Sequence, residues 1–336
     1  MAKYEFTSKG PRVIWAPFWL IISSRPRQWL KNLAIFAALV FSGDFFNPDK
    51  FIVTIYGFAV FSLVTSGSYI INDVLDSKSD LAHPFKKHRP IAGGKINPVL
   101  AFVVGILFLL LAIYLSANLS PFFMFAILSY MFLQLAYSLF LRSFMLLDVM
   151  TIASGFMLRV YAGAVLINAH VTVWFILTVA SLALFLAIGK RKSERTLLSG
   201  LGTHDMATRK ILEHYPENLL DSLTVMFATA TWFSYTMFTF LQPSISGGPQ
   251  VMILFSDLLP RTFLASKWLM ATVPFVIYGV MRYLYVIYEK KEGESPERVL
   301  ISDIPLLATV IIWGILVFVI IYGGDILPAK ILRLLQ

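Results

Sequence analysis

Residues 51–80 read FIVTIYGFAVFSLVTSGSYIINDVLDSKSD. The first part, 51–71, is apolar and has the length of roughly 20 residues that a helix needs to cross the hydrocarbon core of a bilayer. The stretch therefore predicts a membrane-spanning helix that ends in an acidic cluster. The cluster carries four oxygen-bearing side chains, which on a helix lie within about two turns and share one face: Asn72, Asp73, Asp76 and Asp80.

The acidic cluster has the chemistry of a metal site. Carboxylates this close repel one another unless a cation lies between them. Oxygen ligands suit a hard ion such as Mg²⁺, which keeps some waters and also binds substrate phosphates. The next segment, 83–90, reads HPFKKHRP and offers cations for such phosphates. Together they predict a site for a metal and a diphosphate. Solvated loop charges are the alternative, which explains one or two carboxylates better than four oxygen-bearing side chains on one face.

Composition extends the membrane prediction to the whole chain. The 336 residues are 58% hydrophobic and 14% charged, with a mean hydropathy of +0.75, whereas a soluble domain carries about 25% charged residues. Nine apolar runs approach or reach the spanning length: 29–46, 51–71, 98–117, 120–141, 145–168, 171–189, 218–241, 266–287 and 303–323. The first is the least secure, because Lys31, Asn32 and Asp44 interrupt it. Runs this continuous exclude a β-barrel, so we expect an all-α polytopic membrane bundle of about nine transmembrane helices.

The basic residues set the expected orientation. Of the 28 Lys and Arg residues, 21 fall on one side of the predicted helices and 5 on the other, and Arg159 and Arg282 lie within helices. Cytoplasmic loops carry such an excess. We therefore expect an integral inner (cytoplasmic) membrane protein with its N-terminus and acidic cluster in the cytoplasm. Topology and phosphate binding account for the net charge of +9, so no nucleic-acid partner is expected.

We expect three parts along the chain. Residues 1–24 form a cytoplasmic tail with an interfacial helix at 13–22, which is apolar but too short to span the bilayer. Residues 25–323 form one transmembrane catalytic domain, and 324–336 form a short extracytoplasmic tail. Helix faces that are apolar all round also admit a homo-oligomer interface.

Polar side chains at the start of the first predicted helix are further candidates for a binding site. Arg27 and Lys31 lie one α-helical turn apart, so we expect them to point together into the bundle. Asn32 is set deep enough in the apolar run to be buried in a polar site. Positive-inside anchoring, with Trp29 in the interface belt, is the alternative, and for Arg25 the sequence favours neither.

The fourth and fifth predicted helices supply four more candidates: Tyr137, Arg142, Asp148 and Arg159. A cation inside a membrane helix is costly and faces a partner or an aqueous cavity. Arg159 follows Asp148 by 11 residues, about three helical turns, so both lie on one face. A structural ion pair elsewhere in the bundle is the alternative.

The segment 189–195, GKRKSER, follows the sixth predicted helix. Lys190 and Arg191 are nearest the membrane and are the candidates for phosphate contact. A stop-transfer cluster suffices to explain Lys192 and Arg195.

A second group of carboxylates precedes the seventh predicted helix. Glu217 and Asp221 lie four residues apart, and Glu213 lies one turn earlier. They are either a second, degenerate acidic pair or carboxylates favoured at a helix N-terminus, and we favour the latter.

These features together resemble the UbiA superfamily of intramembrane prenyltransferases, from about Arg25 to Tyr322. The motif NDxxDxxxD at 72–80 matches the first acidic motif of that superfamily in full. Its second acidic motif, a pair one turn apart in the loop after the sixth helix, is missing from its expected place. Four segments resemble one branch, the decaprenyl-phosphate phosphoribosyltransferases: RPRQWLKN at 25–32, HRPIA at 88–92, DV at 148–149 with RVYAG at 159–163, and GKRKSE at 189–194.

The resemblance implies a donor, an acceptor and a metal. The donor is 5-phosphoribosyl 1-diphosphate, the acceptor is a polyprenyl monophosphate, and the product is a lipid-linked pentose precursor of cell-wall arabinan. Mg²⁺ is implied at the first motif, with Asp73 and Asp76 catalytic and Asn72 and Asp80 assisting. Phosphate binding is implied for six basic residues: Lys86, Arg89, Lys190 and Arg191 for the donor, and Arg27 and Lys31 for the acceptor.

Two other functions remain open on the sequence. A conventional UbiA enzyme would move a prenyl group from its diphosphate to an aromatic or glycerol-phosphate acceptor, and Glu194, or Glu217 with Asp221, would then chelate a second metal. A transporter of lipid or cation is disfavoured, because its charges would lie at mid-membrane rather than at the cytoplasmic rim.

Overall fold

The computed structural model of the chain describes residues 16–81, 86–201, 215–242, 267–290 and 296–326. Within these residues every regular element is helical. The α-helices are α1 Ala16–Ser23, α2 Phe36–Phe41, α3 Pro48–Leu75, α4 Ser77–Leu81, α5 Pro98–Leu119, α6 Pro121–Leu139, α7 Leu147–Leu166, α8 Val173–Leu201, α9 Glu217–Leu241, α10 Val273–Tyr285, α11 Pro296–Ser302 and α12 Ile304–Ile326. Short 3₁₀ segments cover Pro26–Ile35, Lys86–His88, Leu141–Ser143 and Trp268–Thr272, and Val286–Lys290 is a π-helical turn.

The prediction of an all-α membrane bundle is confirmed. Among the described helical segments, 7 are long and apolar enough to cross a membrane, and each matches one of the predicted runs. Helix α9 covers the predicted run 218–241 with 25 residues.

The first predicted helix, 29–46, is the exception. It is a 3₁₀ segment of 10 residues followed by α2 of 6 residues, so it is not one continuous span. The polar residues that interrupt the run explain the difference. The Asn32 side chain is fully buried and donates to the hydroxyl groups of Ser62 at 3.1 Å and Thr65 at 3.3 Å, which ties this segment to α3.

The chain divides into two compact units. The first comprises Met1–Leu33 and Tyr56–Ser138, and the second comprises Ala34–Ile55 and Leu139–Gln336. In the first unit α3 and α5 approach closely at Gly67. A Cβ atom on this residue would lie only 2.9 Å from the carbonyl oxygen of Gly105. Small residues at such crossings let membrane helices pack backbone to backbone.

Helix α1 belongs to the first unit and covers the predicted interfacial segment from residue 16 onward; 13–15 lie outside the described residues. Its Trp19 packs against the core around Ile70, and the Lys95 ammonium lies 4.0 Å from the centre of the Trp19 ring. Phe18 and Ile21 are exposed on the other side. This pattern fits a short interfacial helix, which stays a prediction.

The second unit is built on close packing of α7, α8 and α9 and on an aromatic cluster. Phe41, Phe175 and Phe238 pack ring against ring, with centroids 5.1–5.3 Å apart. The Tyr322 hydroxyl donates to the carbonyl oxygen of Val40 at 2.7 Å. Edge-to-face and tilted aromatic packing of this kind stabilises a core beyond the area that it buries. Helix α12 continues to Ile326, beyond the predicted domain end at residue 323, and the last ten residues of the predicted tail lie outside the described residues.

Large apolar side chains cover the outward surfaces of several helices. On α5 and α6, exposed fractions reach 70% for Val99 and Phe125 and 75% for Phe122. A soluble protein rarely presents such extended apolar surface, whereas lipid-facing helices require it.

Candidate functional site

The acidic motif lies at the junction of α3 and α4, and Asp76 is the turn residue between them. The N–H of Asp76 donates to the carbonyl oxygen of Asn72 at 2.9 Å, and the N–H of Asp80 donates to that of Asp76 at 2.8 Å. This i to i−4 pattern carries the helical geometry of α3 across Leu75 into α4. The spacing of the four side chains in the sequence therefore fixes their directions in space.

Within the predicted face, the four side chains form two adjacent rows that together span about 100° of the helix. Asp73 and Asp80 are seven residues apart, so they return to nearly the same helical angle, and both are 3% exposed. Asn72 and Asp76 are four residues apart and form the neighbouring row; both are partly exposed. The Asn72 side-chain oxygen accepts from the Ser138 hydroxyl at 2.8 Å, which fixes the amide.

Two arginines neutralise the buried row. The Asp73 carboxylate accepts from Arg25 at 2.5 Å and from Arg89 at 3.2 Å. Arg89 uses the same nitrogen, Nη1, to reach Asp80 at 2.6 Å. The sequence left the role of Arg25 undecided, and its contact with Asp73 across 48 residues has no local signal. Arg25 also lies 4.7 Å from the centre of the Tyr69 ring.

This motif can bind Mg²⁺ only through a small number of protein ligands, which is the usual coordination of this ion in proteins. Among the described residues, no group of three or more His, Cys, Asp or Glu side chains is arranged to hold a metal. Protein-bound Mg²⁺ typically uses one or two carboxylates and completes its octahedron with water and substrate phosphates. The partly exposed Asp76 carboxylate and the Asn72 amide oxygen supply that kind of donor set, whereas Asp73 is buried against two guanidinium groups.

The other substrate-binding candidates of the first unit differ in the exposure of their side chains. Arg27 is exposed and Lys31 is partly exposed on the 3₁₀ segment. Because 3₁₀ side chains align every three residues, these two do not share a face, and the expectation that they point together relied on α-helical geometry. Lys86 and Tyr137 are partly buried.

In the second unit, the predicted Asp148 anchors a buried charged network. Asp148 is fully buried and accepts from the Arg191 Nε at 2.7 Å and from the Tyr215 hydroxyl at 2.6 Å. Arg191 also donates to Glu194 at 2.6 Å. The Tyr215 hydroxyl in turn accepts from the N–H of Leu146 at 2.7 Å, where the backbone has a φ of +67°. Two predicted candidates, Asp148 and Arg191, are thus brought together.

Tyr215 is a member of this network that the sequence did not indicate. Burial raises its pKa well above the usual value for tyrosine, and donation to the Asp148 carboxylate raises it further. The hydroxyl therefore stays protonated and holds Asp148 as an acceptor.

The predicted Arg159 is buried on α7, 5% exposed, and donates to the carbonyl oxygen of Gly155 at 2.8 Å, one turn earlier. Its guanidinium lies 5.5 Å from the centre of the Phe156 ring. Arg142, in the 3₁₀ segment Leu141–Ser143 between α6 and α7, is exposed. These two cations therefore occupy very different environments.

Lys192 is the second residue that sequence reasoning missed. The sequence pattern predicts a stop-transfer cation here, but Lys192 is 7% exposed and is bonded to Asp221. Its Nζ lies 3.1 Å from the centre of the Tyr288 ring, and the Tyr288 hydroxyl donates to the same carboxylate at 3.1 Å. The available signal was helical spacing, because Lys192 follows Ile188 by four residues on the buried face of α8.

The remaining charges of this region divide by exposure. Lys190 keeps 34% of its side chain exposed and lies 3.9 Å from Glu194. Glu217 is exposed in the first turn of α9, as favoured at a helix N-terminus. Glu213 lies outside the described residues. Asp221 is paired with a lysine and is therefore not simply a solvated helix-start carboxylate.

The fold and these two charged clusters define a class: an integral membrane protein of the all-helical kind, with an acidic motif at the end of one spanning helix. The model of the UbiA prenyltransferase family matches residues 33–209. The chain belongs to this family of transferases.

Relatives and solved structures agree with this assignment. A protein of Mycolicibacterium smegmatis named decaprenyl-phosphate phosphoribosyltransferase is 32% identical over 303 residues, which cover 88% of this chain and 89% of that protein. A protein of the same name from Corynebacterium glutamicum is 32% identical over 315 residues, with 92% and 87% covered. A UbiA homologue from Archaeoglobus fulgidus, solved with GPP and Mg²⁺ bound, has a TM-score of 0.61 at 19% identity, covering 91% of this chain and 98% of that one. This last likeness concerns the fold alone.

Proposed function

We propose that this protein transfers 5-phosphoribose from phosphoribosyl diphosphate to a polyprenyl, decaprenyl-type monophosphate and releases diphosphate. The observation that carries the proposal is the 32% identity, along 88% of the chain, to a protein named for this reaction. The cation-rich character of the site supports it, because a donor with a 5-phosphate and a diphosphate needs more cationic side chains than a prenyl diphosphate does. We further propose that the product is a lipid-linked arabinose precursor for the cell wall.

The reaction forms one bond and breaks one. A phosphate oxygen of the lipid acceptor bonds to carbon 1 of the ribose, while the bond from that carbon to the diphosphate breaks and its electron pair leaves with the diphosphate. The acceptor oxygen is already anionic at neutral pH, so no side chain has to remove a proton.

We assign the metal to the exposed row of the motif. When bound, Mg²⁺ supplies positive charge against the leaving diphosphate. Asp76 and Asn72 would hold it, because both are partly exposed, whereas Asp73 and Asp80 are 3% exposed and bonded to arginines. This assignment narrows the sequence prediction, which included all four residues.

Basic side chains are assigned to the phosphates. Lys86, Arg89 and Lys190 are partly exposed and are proposed to bind the donor. Arg191, which is buried and bonded to Asp148 and Glu194, is also proposed as a residue for the donor phosphates. Charge-assisted bonds from arginine and lysine to phosphate oxygens are among the strongest hydrogen bonds in proteins. Arg27 and Lys31 are proposed to bind the acceptor phosphate, and the other substrate-binding candidates are proposed without assignment to one substrate: Asn32, Tyr137, Arg142 and Arg159.

The pairing of Asp221 weighs against the conventional prenyltransferase reaction. That reading requires a second metal at Glu217 and Asp221 or at Glu194. Asp221 accepts instead from Lys192 and Tyr288, and Glu194 accepts from Arg191. We also propose an inner-membrane location with the site facing the cytoplasm, on the charge asymmetry of the loops.

A transfer assay tests the proposal. Purified protein in detergent is incubated with labelled phosphoribosyl diphosphate, a polyprenyl monophosphate and Mg²⁺, and the lipid fraction is counted. We expect labelled lipid, its loss on addition of EDTA, and a strong loss with Asp76→Asn. Asp49→Asn is the matched control, because Asp49 is an exposed carboxylate in the first turn of α3, the helix that Asp76 follows. Equal losses in both variants would contradict the assignment of Asp76.

A further inference from the structure

The Arg89 guanidinium is held by one of its nitrogens. Both of its contacts within the described residues use Nη1, which donates to Asp73 at 3.2 Å and to Asp80 at 2.6 Å. The side chain keeps 27% of its surface exposed. A guanidinium is a rigid, planar fork with five N–H donors, so two carboxylates on the two N–H bonds of Nη1 set the plane of the fork and the direction of its other donors.

The charges around Arg89 balance. Two buried carboxylates, Asp73 and Asp80, face two arginines, Arg25 and Arg89. A buried carboxylate without a partner is strongly unfavourable. Arg89 carries one positive charge and contacts both carboxylates, so it cannot neutralise the two negative charges alone. Arg25 supplies the second positive charge, 2.5 Å from Asp73.

The backbone at Arg25 has an unusual conformation that contacts with α3 hold in place. Arg25 has a φ of +53°, a left-handed conformation that is unfavourable for a residue with a Cβ. The corner that it forms after α1 is fastened to α3, because the Trp29 indole donates to Ser66 at 3.0 Å and the Ser66 hydroxyl reaches the carbonyl oxygen of Ser24 at 3.4 Å. Strain that the surrounding contacts maintain in this way is typical of functional sites.

We infer that Asp73 and Asp80, with Arg25 as counter-charge, are positioning residues that hold Arg89 by Nη1 and present the rest of its guanidinium to a phosphate of the donor. This rests on the proposed function for the identity of the phosphate. The acidic motif then has two separate roles. Asn72 and Asp76 hold the metal, and the row formed by Asp73 and Asp80 positions Arg89.

The first test is a double-mutant cycle on thermal stability in detergent. Asp73→Asn leaves two arginines against one carboxylate, and Arg25→Gln leaves two carboxylates against one arginine, so each single variant is expected to lower the midpoint. The double variant leaves Arg89 and Asp80 as a balanced pair. We expect it to unfold at a higher temperature than Asp73→Asn alone. A double variant whose loss equals the two single losses added together would overturn the charge-balanced arrangement.

The second test separates positioning from metal binding. Mn²⁺ binding is followed by electron paramagnetic resonance in Asp76→Asn and Asp80→Asn. We expect Asp76→Asn to weaken Mn²⁺ binding at least tenfold, and Asp80→Asn to leave it within about threefold, which corresponds to less than the energy of one charged hydrogen bond. Equal weakening in the two variants would show that Asp80 is a metal ligand and would overturn the inference.

The kinetic signature completes the test in the active enzyme. Asp80→Asn and Arg89→Lys are both expected to raise the KM for phosphoribosyl diphosphate about tenfold or more, the loss of one oriented charged contact, with the Mg²⁺ concentration dependence unchanged. Lysine keeps the charge but cannot be held by one nitrogen and donate through another. A normal KM in Arg89→Lys would refute the positioning role. Absence of all phosphoribosyl transfer in the unaltered protein would instead refute the proposed function, while the stability cycle would still decide the arrangement.

Discussion

Replacing Asp148 by asparagine is the sharpest probe of the buried network in the second unit. The substitution keeps the shape of the side chain and removes only its charge and one acceptor. Asp148 is fully buried and accepts from Arg191 at 2.7 Å and Tyr215 at 2.6 Å. An asparagine has one oxygen and one NH₂ group, so one of the two partners loses its acceptor.

The magnitude follows from what stays behind. Arg191 is 4% exposed on its side chain and keeps Glu194 at 2.6 Å, so its charge is not left wholly unpaired. Removing one partner of a buried pair outright costs about 3–5 kcal/mol, and losing one charge-assisted hydrogen bond costs about 1.5–3 kcal/mol. We expect Asp148→Asn to lower the free energy of unfolding by about 2–4 kcal/mol.

Thermal unfolding in one detergent, followed by fluorescence-detected size exclusion, measures this loss. Asp49→Asn is the control, because the same atoms change at an exposed position, and surface substitutions stay within about 0.5 kcal/mol. Tyr215→Phe completes a cycle: it should cost less in the Asp148→Asn background than alone, by about 0.5–3 kcal/mol. Additive effects, or a loss in Asp148→Asn no larger than in the control, would refute the network as a coupled unit.

Three further substitutions test other parts of the structure. Gly163→Ala would place a Cβ atom 2.0 Å from the carbonyl oxygen of Ile35, and because that neighbour is backbone we expect a loss of about 3 kcal/mol in thermal unfolding; a stable variant would contradict this packing. Tyr322→Phe removes the donor to Val40 at 2.7 Å and should cost about 1–3 kcal/mol, with an unchanged melting temperature as the contrary result. Glu217→Gln alters an exposed helix-start carboxylate and should leave the transfer rate unaltered, whereas a loss equal to that of Asp76→Asn would restore a second metal site.

The sequence indicated the helices well because membrane insertion is governed by the length and continuity of apolar runs. Eight of the predicted runs correspond to helical segments in the described residues. The failure at 29–46 has a specific cause: Asn32 is satisfied by Ser62 and Thr65 of another helix. A hydropathy run does not reveal that a polar side chain will be buried against particular partners.

The candidate site was predictable in its members but not in its pairings. Helical spacing placed Asn72 to Asp80 together, and the structure brings Asp148 and Arg191 together as well. The buried row is paired with Arg25, 48 residues away from Asp73, and with Arg89, which follows the short 3₁₀ segment Lys86–His88. Such long-range pairing is set by tertiary packing, which a single sequence does not display.

The central claim is the choice of donor, and one competition measures it. Purified protein with Mg²⁺ receives equal concentrations of phosphoribosyl diphosphate and a polyprenyl diphosphate, together with a polyprenyl monophosphate and an aromatic acceptor, and mass spectrometry identifies every lipid product. We expect the polyprenyl monophosphate to gain the mass of a phosphoribosyl group and the aromatic acceptor to remain unmodified. A prenylated aromatic product without phosphoribosylated lipid would contradict the claim and leave the chain a conventional member of its family.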